Sequence, residues 1–385
     1  MSVSDRGVET PAPAGGVPPQ PPQPFQGPAG TGASAWLRYL SPRKIGAVYF
    51  LILIVIFFSL LDPDSFPHVE TIRSVFNEYS VSGIMALGVI ISLASGLFDL
   101  SVGYTMGFTG TLVAWFLAYK NMGVTEAIVL TMAAGVAIGL VNALVVVFLK
   151  IDSIIATLGT GSIIGAITVG VSGNQTIVKN VSGSFSRDIG GLSWGNFSEP
   201  VFYMLILMLI IGLVMEQTAA GRYWYAIGFE LDVARLAGIR VKLLQTAALV
   251  ITAVVASWAG ITLTARIGAA SPDTGPSYLL PAFAAAFLGA TQFRDGRFNA
   301  WGTILATILL GAGQYGILVS GAPLWAPDVF YGIALIGAVA ITRLTGNATS
   351  RWRGWPSWMG RYVRPDDPAP PGDPPEPSAS PEAKP

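Results

Sequence analysis

The chain of 385 residues contains no cysteine and only one histidine, His68. Without thiols it can form no disulfide, no thiolate nucleophile and no cysteine-ligated zinc or iron–sulfur centre. A single imidazole also excludes metal sites that need several histidine ligands. His68 follows Pro67 in a segment that we interpret as a solvated loop, so we assign it no catalytic role.

Charged side chains are scarce as well. They make up 11% of the sequence, whereas about 25% is usual in soluble domains. Hydrophobic residues make up 52% and the mean hydropathy is +0.59, more than a soluble globule of this size could bury. This composition excludes an ordinary soluble enzyme and indicates a lipid bilayer as solvent. The 22 basic and 22 acidic residues cancel, which gives no reason to expect a nucleic-acid partner.

The phosphate-binding and zinc-protease motifs of common enzymes are missing too. No lysine follows a glycine, so the sequence has no Walker A phosphate loop. It also has no HExxH pattern and no paired-carboxylate constellation. We therefore expect a protein that is not an enzyme and that binds no metal or cofactor of its own.

The prolines divide the chain into three parts. Nine of the 27 precede residue 46, nine more begin at Pro365, and nine lie between. Segments rich in proline and glycine bury too little apolar area to offset their ordering entropy. We expect two disordered cytoplasmic tails, residues 1–44 and 346–385, on either side of a transmembrane domain at 45–345. The alternative for the tails is a docking peptide for a proline-reading domain.

Apolar runs separated by polar punctuation fill the central part, and most approach the roughly 20 residues that a helix needs to cross the hydrocarbon. They predict an all-α polytopic membrane protein with about ten transmembrane helices. The predicted spans are 45–61, 81–98, 102–119, 124–149, 154–172, 201–215, 245–267, 279–290, 300–319 and 326–342.

Basic residues are distributed unevenly among the segments between these spans. With the N-terminus inside the cell, 17 of the 22 lysines and arginines lie in inner segments, as the positive-inside rule requires. An odd helix count would break this pattern, so we expect both termini in the cytoplasm. The outer basic residues are Arg73, Lys120, Lys179, Arg187 and Arg266.

One acid, Asp99, interrupts the apolar runs in the segment SGLFDLSVG, residues 95–103. A carboxylate at membrane depth costs roughly 2.5–3.5 kcal/mol on insertion scales unless it is paired or wetted. In one interpretation Asp99 lines a water-filled path, or fixes a helix break by bonding free backbone amides. In the other, Asp99 and Ser101 lie in a short cytoplasmic turn and cap two ordinary helices.

A second polar run, IATLGTGSIIGA at residues 155–166, places hydroxyl groups in an apolar context. Its spacing puts Thr157 and Thr160 on one helix face and turns Ser162 away from that face. These side chains either bond a neighbouring helix or their own backbone, or they line the path of a polar solute.

The eighth predicted span, 279–290, is too short to cross a bilayer as a regular helix. Short or interrupted segments in corresponding halves of a transporter point to its translocation site. We interpret the Gly/Asp break at 96–99 as the counterpart of this span. The candidate residues of the translocation path are Asp99, Ser101, Thr157, Thr160, Ser162 and Tyr278.

The largest inner loop, residues 216–245, is predicted to contain a short helix from Phe229 to Leu236 that Gly238 ends. Its segment GRYWYAIGFELDVARLAGI (221–239) resembles the cytoplasmic coupling loop in the membrane subunits of ribose-type ABC sugar importers. The pattern in that family reads roughly GRYxYAIGGNxEAARLAGI.

The resemblance continues along the chain and covers about residues 75–345. SGLFDLSVG is similar to the family's SGGIDLSVG, and ATLGTGSI to its ATLGTxSI. The chain departs from the family at Phe98, where isoleucine is usual, and at Phe229 and Glu230, where the family has Gly-Asn. Leu279 and Pro281 stand where the family often has acids.

The resemblance implies a permease subunit of a bacterial ABC importer, a multi-pass protein of the inner membrane that takes up a monosaccharide or a similar small polar solute. It also implies partner ATPase subunits that hold ATP and Mg, an extracytoplasmic solute-binding protein, and a second permease copy in a homodimer. The residues it assigns to coupling with the ATPase are Arg222, Gly228, Phe229, Glu230, Asp232, Arg235, Leu236 and Gly238.

Two other functions are compatible with the sequence. A branched-chain amino acid or nucleoside ABC permease would share the loop design and the topology. An ion-coupled secondary transporter would use a lone membrane acid such as Asp99 as its coupling site.

Overall fold

The described part of the chain is helical throughout. The computed structural model describes residues 42–63, 66, 68–181, 183–293 and 296–346. In these residues there is no strand, only two isolated β-bridges, Ile177–Ala270 and Leu192–Ser198. Nearly all of the two predicted tails lies outside the described residues.

Twelve α-helices follow one another in the described residues. They are α1 (Pro42–Leu61), α2 (Val69–Ala94), α3 (Val102–Tyr119), α4 (Val124–Ala143), α5 (Ser153–Ser172), α6 (Glu199–Gln217), α7 (Ala219–Phe229), α8 (Leu231–Leu236), α9 (Val241–Ile267), α10 (Leu279–Ala290), α11 (Ala300–Val319) and α12 (Ala326–Gly346). Shorter helical turns are Leu144–Phe148, Ser186–Gly190, Trp194–Asn196 and Gly275–Tyr278.

Six helices of the described part are long and apolar enough to cross a membrane. They are α2, α4 with the turn that extends it to Phe148, α5, α6, α9 and α11. Shorter apolar helices occur at Gly46–Leu61, Gly275–Ala290 and Ala326–Ala340. The predicted class, an all-α polytopic membrane protein, is thereby confirmed.

The second predicted span, 81–98, differs most from the structure. Helix α2 begins at Val69 and ends at Ala94, because its first turns, VETIRSVFNEYS, form a helix without being apolar. A search for apolar runs cannot detect such an extension. The helix ends where Gly96 takes a φ of +78°, a conformation that glycine adopts without steric cost.

Helices α2 and α9 form the centre of the bundle. In the apolar stretch of α2, 78% of the residues are buried, and in that of α9 67% are, against 22% in α5. The main apolar core therefore forms around α2 and α9, with α6, α10 and α11 packed against them. Lipid is as apolar as these side chains, so the exposed faces of the outer helices carry no solvation cost.

Two sets of helices repeat one order of elements. Each set begins with a long helix, α2 or α9, which is followed by an irregular break, a shorter helix and another long helix. The contacts are reciprocal: α2 packs against α10 and α11 of the second set, and α9 packs against α3 and α4 of the first. In each set the break, residues 95–101 or 268–274, directly follows the central helix of that set.

Glycines allow the central helices to approach at backbone distance. A Cβ added to Gly260 of α9 would lie 2.2 Å from the carbonyl oxygen of Met106 in α3, and 3.0 Å from the amide nitrogen of Gly110. Neither backbone atom can turn away as a flexible side chain would. The contact between α3 and α9 therefore depends on the missing side chain, as in other close helix pairs of membranes.

We expect Gly260→Ala to lower the free energy of unfolding by about 1–3 kcal/mol, because the two backbones must separate to accept the methyl group. The matched control is Gly337→Ala in α12, where no atom of the described residues outside the adjoining backbone of that helix lies within 4 Å of the added Cβ. Unfolding of the purified proteins in mixed micelles, followed by tryptophan fluorescence, measures both effects. Equal stability of the two variants would contradict the packing of α3 on α9.

Candidate functional site

The break between α2 and α3 contains a fully buried acid. Asp99 is 1% exposed, and its Oδ1 accepts hydrogen bonds from the backbone amide of Ser101 at 3.0 Å and from the Ser101 hydroxyl at 2.6 Å. The carboxylate thus satisfies a peptide group at the start of α3. Its Oδ2 is buried and has no hydrogen-bond partner among the described residues.

The bonds of Asp99 continue into α4 and α5. The Ser101 hydroxyl accepts a bond of 2.7 Å from Nδ2 of Asn142, and Oδ1 of Asn142 accepts one of 2.7 Å from the Thr160 hydroxyl. Asn142 is completely buried, and a buried amide is costly unless both its ends are bonded. We call the four residues Asp99, Ser101, Asn142 and Thr160 the polar network. Asn142 was not among the residues predicted from the sequence, although a lone amide inside an apolar helix was a detectable signal.

The first turns of α5 bond the backbone of the break directly. The Phe98 amide donates to the Ser153 hydroxyl at 3.2 Å, and the Leu100 amide donates to the Thr157 hydroxyl at 3.0 Å. Thr157 in turn donates to the carbonyl oxygens of Ser153 at 2.6 Å and Phe98 at 3.3 Å. Side chains of α5 therefore replace the helical bonds that are lost where α2 ends.

The short helix α10 contacts the same break through aromatic rings. Phe98 lies 6.3 Å from Phe283 and 6.2 Å from Phe287 between ring centroids, in stacked arrangements. The turn before α10 packs closely on α3, since a Cβ on Gly275 would lie 2.1 Å from the carbonyl oxygen of Gly103. The two segments that the sequence analysis singled out as interrupted are thus in contact.

Two candidate path residues belong neither to the polar network nor to the bonds between α5 and the break. Ser162 is exposed on α5 and, among the described residues, its hydroxyl donates only to the carbonyl oxygen of Leu158 one turn earlier, at 3.0 Å. Tyr278 is half-buried in the turn before α10 and packs against the main apolar core. The structure therefore groups Asp99, Ser101, Thr157 and Thr160 and separates Ser162 and Tyr278 from them.

The segment at 216–245 is mostly helical, and its short helix begins later than predicted. Helix α7 extends to Phe229, after which Glu230 is extended (φ −155°, ψ 106°) and α8 begins at Leu231. The prediction of a helix starting at Phe229 was wrong because this residue completes α7, which Thr218 caps by accepting a bond from the Gly221 amide at 3.3 Å. Gly238 follows α8 with a φ of +79°, as the prediction of a glycine stop requires.

Helix α8 exposes two large apolar side chains. Leu236 is 89% and Val233 62% exposed, whereas Ala234 is buried against Ile227 and Val241. Exposed apolar side chains grouped on one short helix are typical of a docking surface. We call Val233 and Leu236 the apolar pair; the sequence analysis had included Leu236 but not Val233.

The charged residues of this segment form one ion pair among the described residues. Asp232 and Arg235 approach to 3.3 Å in the same helix, with side chains 78% and 60% exposed, and pairs this exposed stabilise little. Arg222 is exposed and donates to the carbonyl oxygen of Gln217 at 3.4 Å. Glu230 is half-buried between α7 and α8.

Helix α7 is anchored to three parts of the bundle. Trp224 donates from Nε1 to the carbonyl oxygen of Leu244 at 2.9 Å, and the Tyr225 hydroxyl donates to the carbonyl oxygen of Phe298 at 2.5 Å. The third contact is at Gly228, where an added Cβ would lie 2.3 Å from the carbonyl oxygen of Ala94. The segment is therefore fixed to α9, to the loop before α11 and to the end of α2.

We expect Asn142→Leu to lower the free energy of unfolding by about 1–2 kcal/mol, because it removes both bonds of a completely buried amide and with them the partners that Ser101 and Thr160 have in α4. The matched control is Thr131→Val in the same helix, whose buried hydroxyl has no partner among the described residues. Denaturation of both variants in mixed micelles checks the difference. If Asn142→Leu is as stable as the control, the polar network does not hold α4 to the break.

Comparison with known proteins places the chain in a transport family. Residues 71–339 match the family described as "Branched-chain amino acid transport system / permease component". The ribose import permease protein of Escherichia coli K12 is 29% identical over 80% of this chain and 94% of its own length. The D-allose transport system permease protein of the same organism is 28% identical, over 78% of this chain and 92% of its own.

A third relative is the autoinducer 2 import system permease protein of Salmonella typhimurium LT2, 27% identical over 83% of this chain and 94% of its own length. No solved structure matches the chain significantly. The matched residues contain both the break and the segment at 216–245, which we call the coupling segment after the family's loop that it resembles, so the resemblance drawn from these motifs is confirmed. The chain is a multi-pass protein of the bacterial inner membrane, and it belongs to the family of branched-chain amino acid transport system permease components.

Proposed function

We propose that the chain is the permease subunit of an ABC importer and forms the translocation path for a monosaccharide or a similar small polar solute. The observation that carries this proposal is the near full-length similarity to permeases named for ribose, D-allose and autoinducer 2. The family description names branched-chain amino acids, but these relatives favour a sugar-like solute. The segment FDLSVG (98–103), part of the stretch that is similar to the sugar importers' SGGIDLSVG, agrees with that choice.

The proposed topology has ten transmembrane helices and both termini in the cytoplasm. Besides the six long helices, it assigns membrane crossings to α1, α3, α10 and α12. The 17-to-5 division of basic residues supports this orientation. In it, the segment with α7 and α8 faces the cytoplasm, where ATPase subunits would bind.

Coupling to the ATPase is proposed to occur through α8. Since Asp232 and Arg235 neutralise each other, the apolar pair Val233 and Leu236 would provide most of the contact area. Burying a leucine side chain contributes roughly 1.5–3 kcal/mol. ATP and Mg would be held by the partner subunits, because no phosphate-binding loop exists in this chain.

The solute path is proposed to run between two copies of the chain, along α5. This helix has the least buried apolar stretch of the six, and its exposed face carries Gly159, Ser162 and Gly170. Small and hydroxylated residues suit both close helix contact and passage of a polar solute. An extracytoplasmic solute-binding protein would deliver the cargo to the opposite end from α8.

The hydrogen bonds of Asp99 favour a structural role over one in the solute path. In this role its carboxylate bonds a free backbone amide and so stabilises the break between α2 and α3. A side chain that is 1% exposed does not line an open path in this conformation. Its two bonds to Ser101 instead serve the free peptide group at the start of α3. Thr160, at the half-buried edge of α5, is the member of the polar network nearest to the proposed path.

We expect Val233→Asp combined with Leu236→Asp to reduce co-purification of the ATPase subunit at least tenfold, because two charges replace the apolar contact. The control combines Asp232→Asn with Arg235→Gln, which removes an exposed ion pair and should change binding less than threefold. Pull-down from detergent extracts measures both. A larger loss in the charge control would show that ion pairs, and not the apolar pair, hold the ATPase.

Transport itself is tested in proteoliposomes. We expect uptake of radiolabelled D-ribose or of a related sugar only when the permease, the ATPase subunits, the binding protein and ATP are all present. Asp99→Asn in the same assay probes an ion-coupled mechanism. Uptake by the permease alone, driven by an ion gradient and lost in Asp99→Asn, would establish a secondary transporter and overturn the proposal.

A further inference from the structure

The end of α7 touches the break between α2 and α3 with backbone alone. A Cβ on Gly228 would lie 2.3 Å from the carbonyl oxygen of Ala94 and 3.1 Å from the amide nitrogen of Gly96. From the other side, a Cβ on Gly96 would lie 3.3 Å from the Cα of Gly228. Because no flexible side chain separates the two segments, a displacement of α7 cannot be absorbed at this contact.

A second contact joins the break to the start of α9, which α7 also holds. Nε2 of Gln245 donates to the carbonyl oxygen of Ser95 at 3.5 Å. The adjacent Leu244 carbonyl accepts the bond from Trp224 of α7. The N-terminal end of the break is therefore bound to the coupling segment both directly and through the first turn of α9.

The other end of the break is bound to α5. The amides of Phe98 and Leu100 donate to Ser153 and Thr157, and the polar network joins Ser101 to Thr160 through Asn142. Within the described residues, α5 contacts chiefly α3 and makes few contacts with α4 and the turn that extends it. Few contacts within the chain therefore oppose a shift of α5 when its first turns are displaced.

We propose that residues 95–101 form the transmission element that carries movement of the coupling segment to α5. The contact of Gly96 with Gly228, which we call the input contact, transmits the movement of α7 to the break. Thr157 and the polar network transmit it from the break to α5. The inference rests on the proposed function, since the movement originates in an ATPase bound at α8. All seven residues are positioning residues and need not contact the solute.

The chain has no cysteine, so one introduced thiol reports on α5 alone. Ser162→Cys places it on the exposed face of that helix. The experiment uses the full permease–ATPase complex in lipid nanodiscs and measures the rate of modification by N-ethylmaleimide, without nucleotide and with ATP plus orthovanadate. In the parent complex we expect nucleotide to change this rate at least threefold.

Thr157→Val removes the hydroxyl that bonds the break. We expect it to reduce the nucleotide-dependent change in modification rate at least threefold while co-purification of the ATPase stays intact. Thr157→Ser keeps the hydroxyl and should restore the change. The matched control is Thr131→Val, which removes a buried hydroxyl without a partner among the described residues and should leave the change as in the parent.

Gly228→Ala tests the input contact, with Gly337→Ala as its control. We expect Gly228→Ala to reduce the nucleotide-dependent change in modification rate as Thr157→Val does. If Gly228→Ala does not assemble with the ATPase, the comparison of the Thr157 variants still tests the inference. A full change in both Thr157→Val and Gly228→Ala complexes would overturn the inference, as would a parent complex that binds the ATPase but shows no change at α5. If the parent binds no ATPase at all, the proposed function fails and the inference fails with it.

Discussion

A break between two buried helices leaves peptide groups without helical hydrogen bonds, and the rest of the site follows from the need to satisfy them. Between α2 and α3 the free amides of Phe98, Leu100 and Ser101 each find a side-chain acceptor: Ser153, Thr157 and Asp99 respectively. Two of these acceptors come from α5. The break can therefore exist only while α5 lies beside it.

The same constraint fixes where α5 begins. Asp152 caps the helix by accepting bonds from the amides of Ile154 and Ile155 at 3.0 and 3.3 Å. This start places Ser153 and Thr157 one turn apart, on the face that meets the break. A buried carboxylate and a buried amide are each expensive in an apolar interior, yet together in the polar network they complete one another's hydrogen bonds. Hydrogen bonding within the bundle therefore explains the polar residues of this region, whether or not they contact a solute.

Much of the fold could be predicted from the sequence because apolar runs are a local signal. The spans 102–119, 279–290 and 300–319 coincide with α3, α10 and α11. The polar first turns of α2 carry no such signal, so the start of that helix could not be predicted. The start of α8 was predicted too early because it depends on how far α7 extends. For the site, the spacing of Thr157 and Thr160 indicated one shared face, but their partners lie 18 to 59 residues away in the chain. Contacts of that kind depend on tertiary packing, which a single sequence does not reveal.

The uneven burial of the helices makes the break sensitive to the thickness of the bilayer. Helices respond to a thicker or thinner hydrocarbon layer by tilting, at a modest cost for each ångström of mismatch. This response acts on helices with exposed apolar surface, such as α4, whose apolar stretch is 28% buried. The apolar stretch of α2 is 78% buried, so lipid reaches little of it. Since α4 holds the break through Asn142, we expect lipid chain length to act on the geometry around Asp99 through the hydrogen bonds of the polar network.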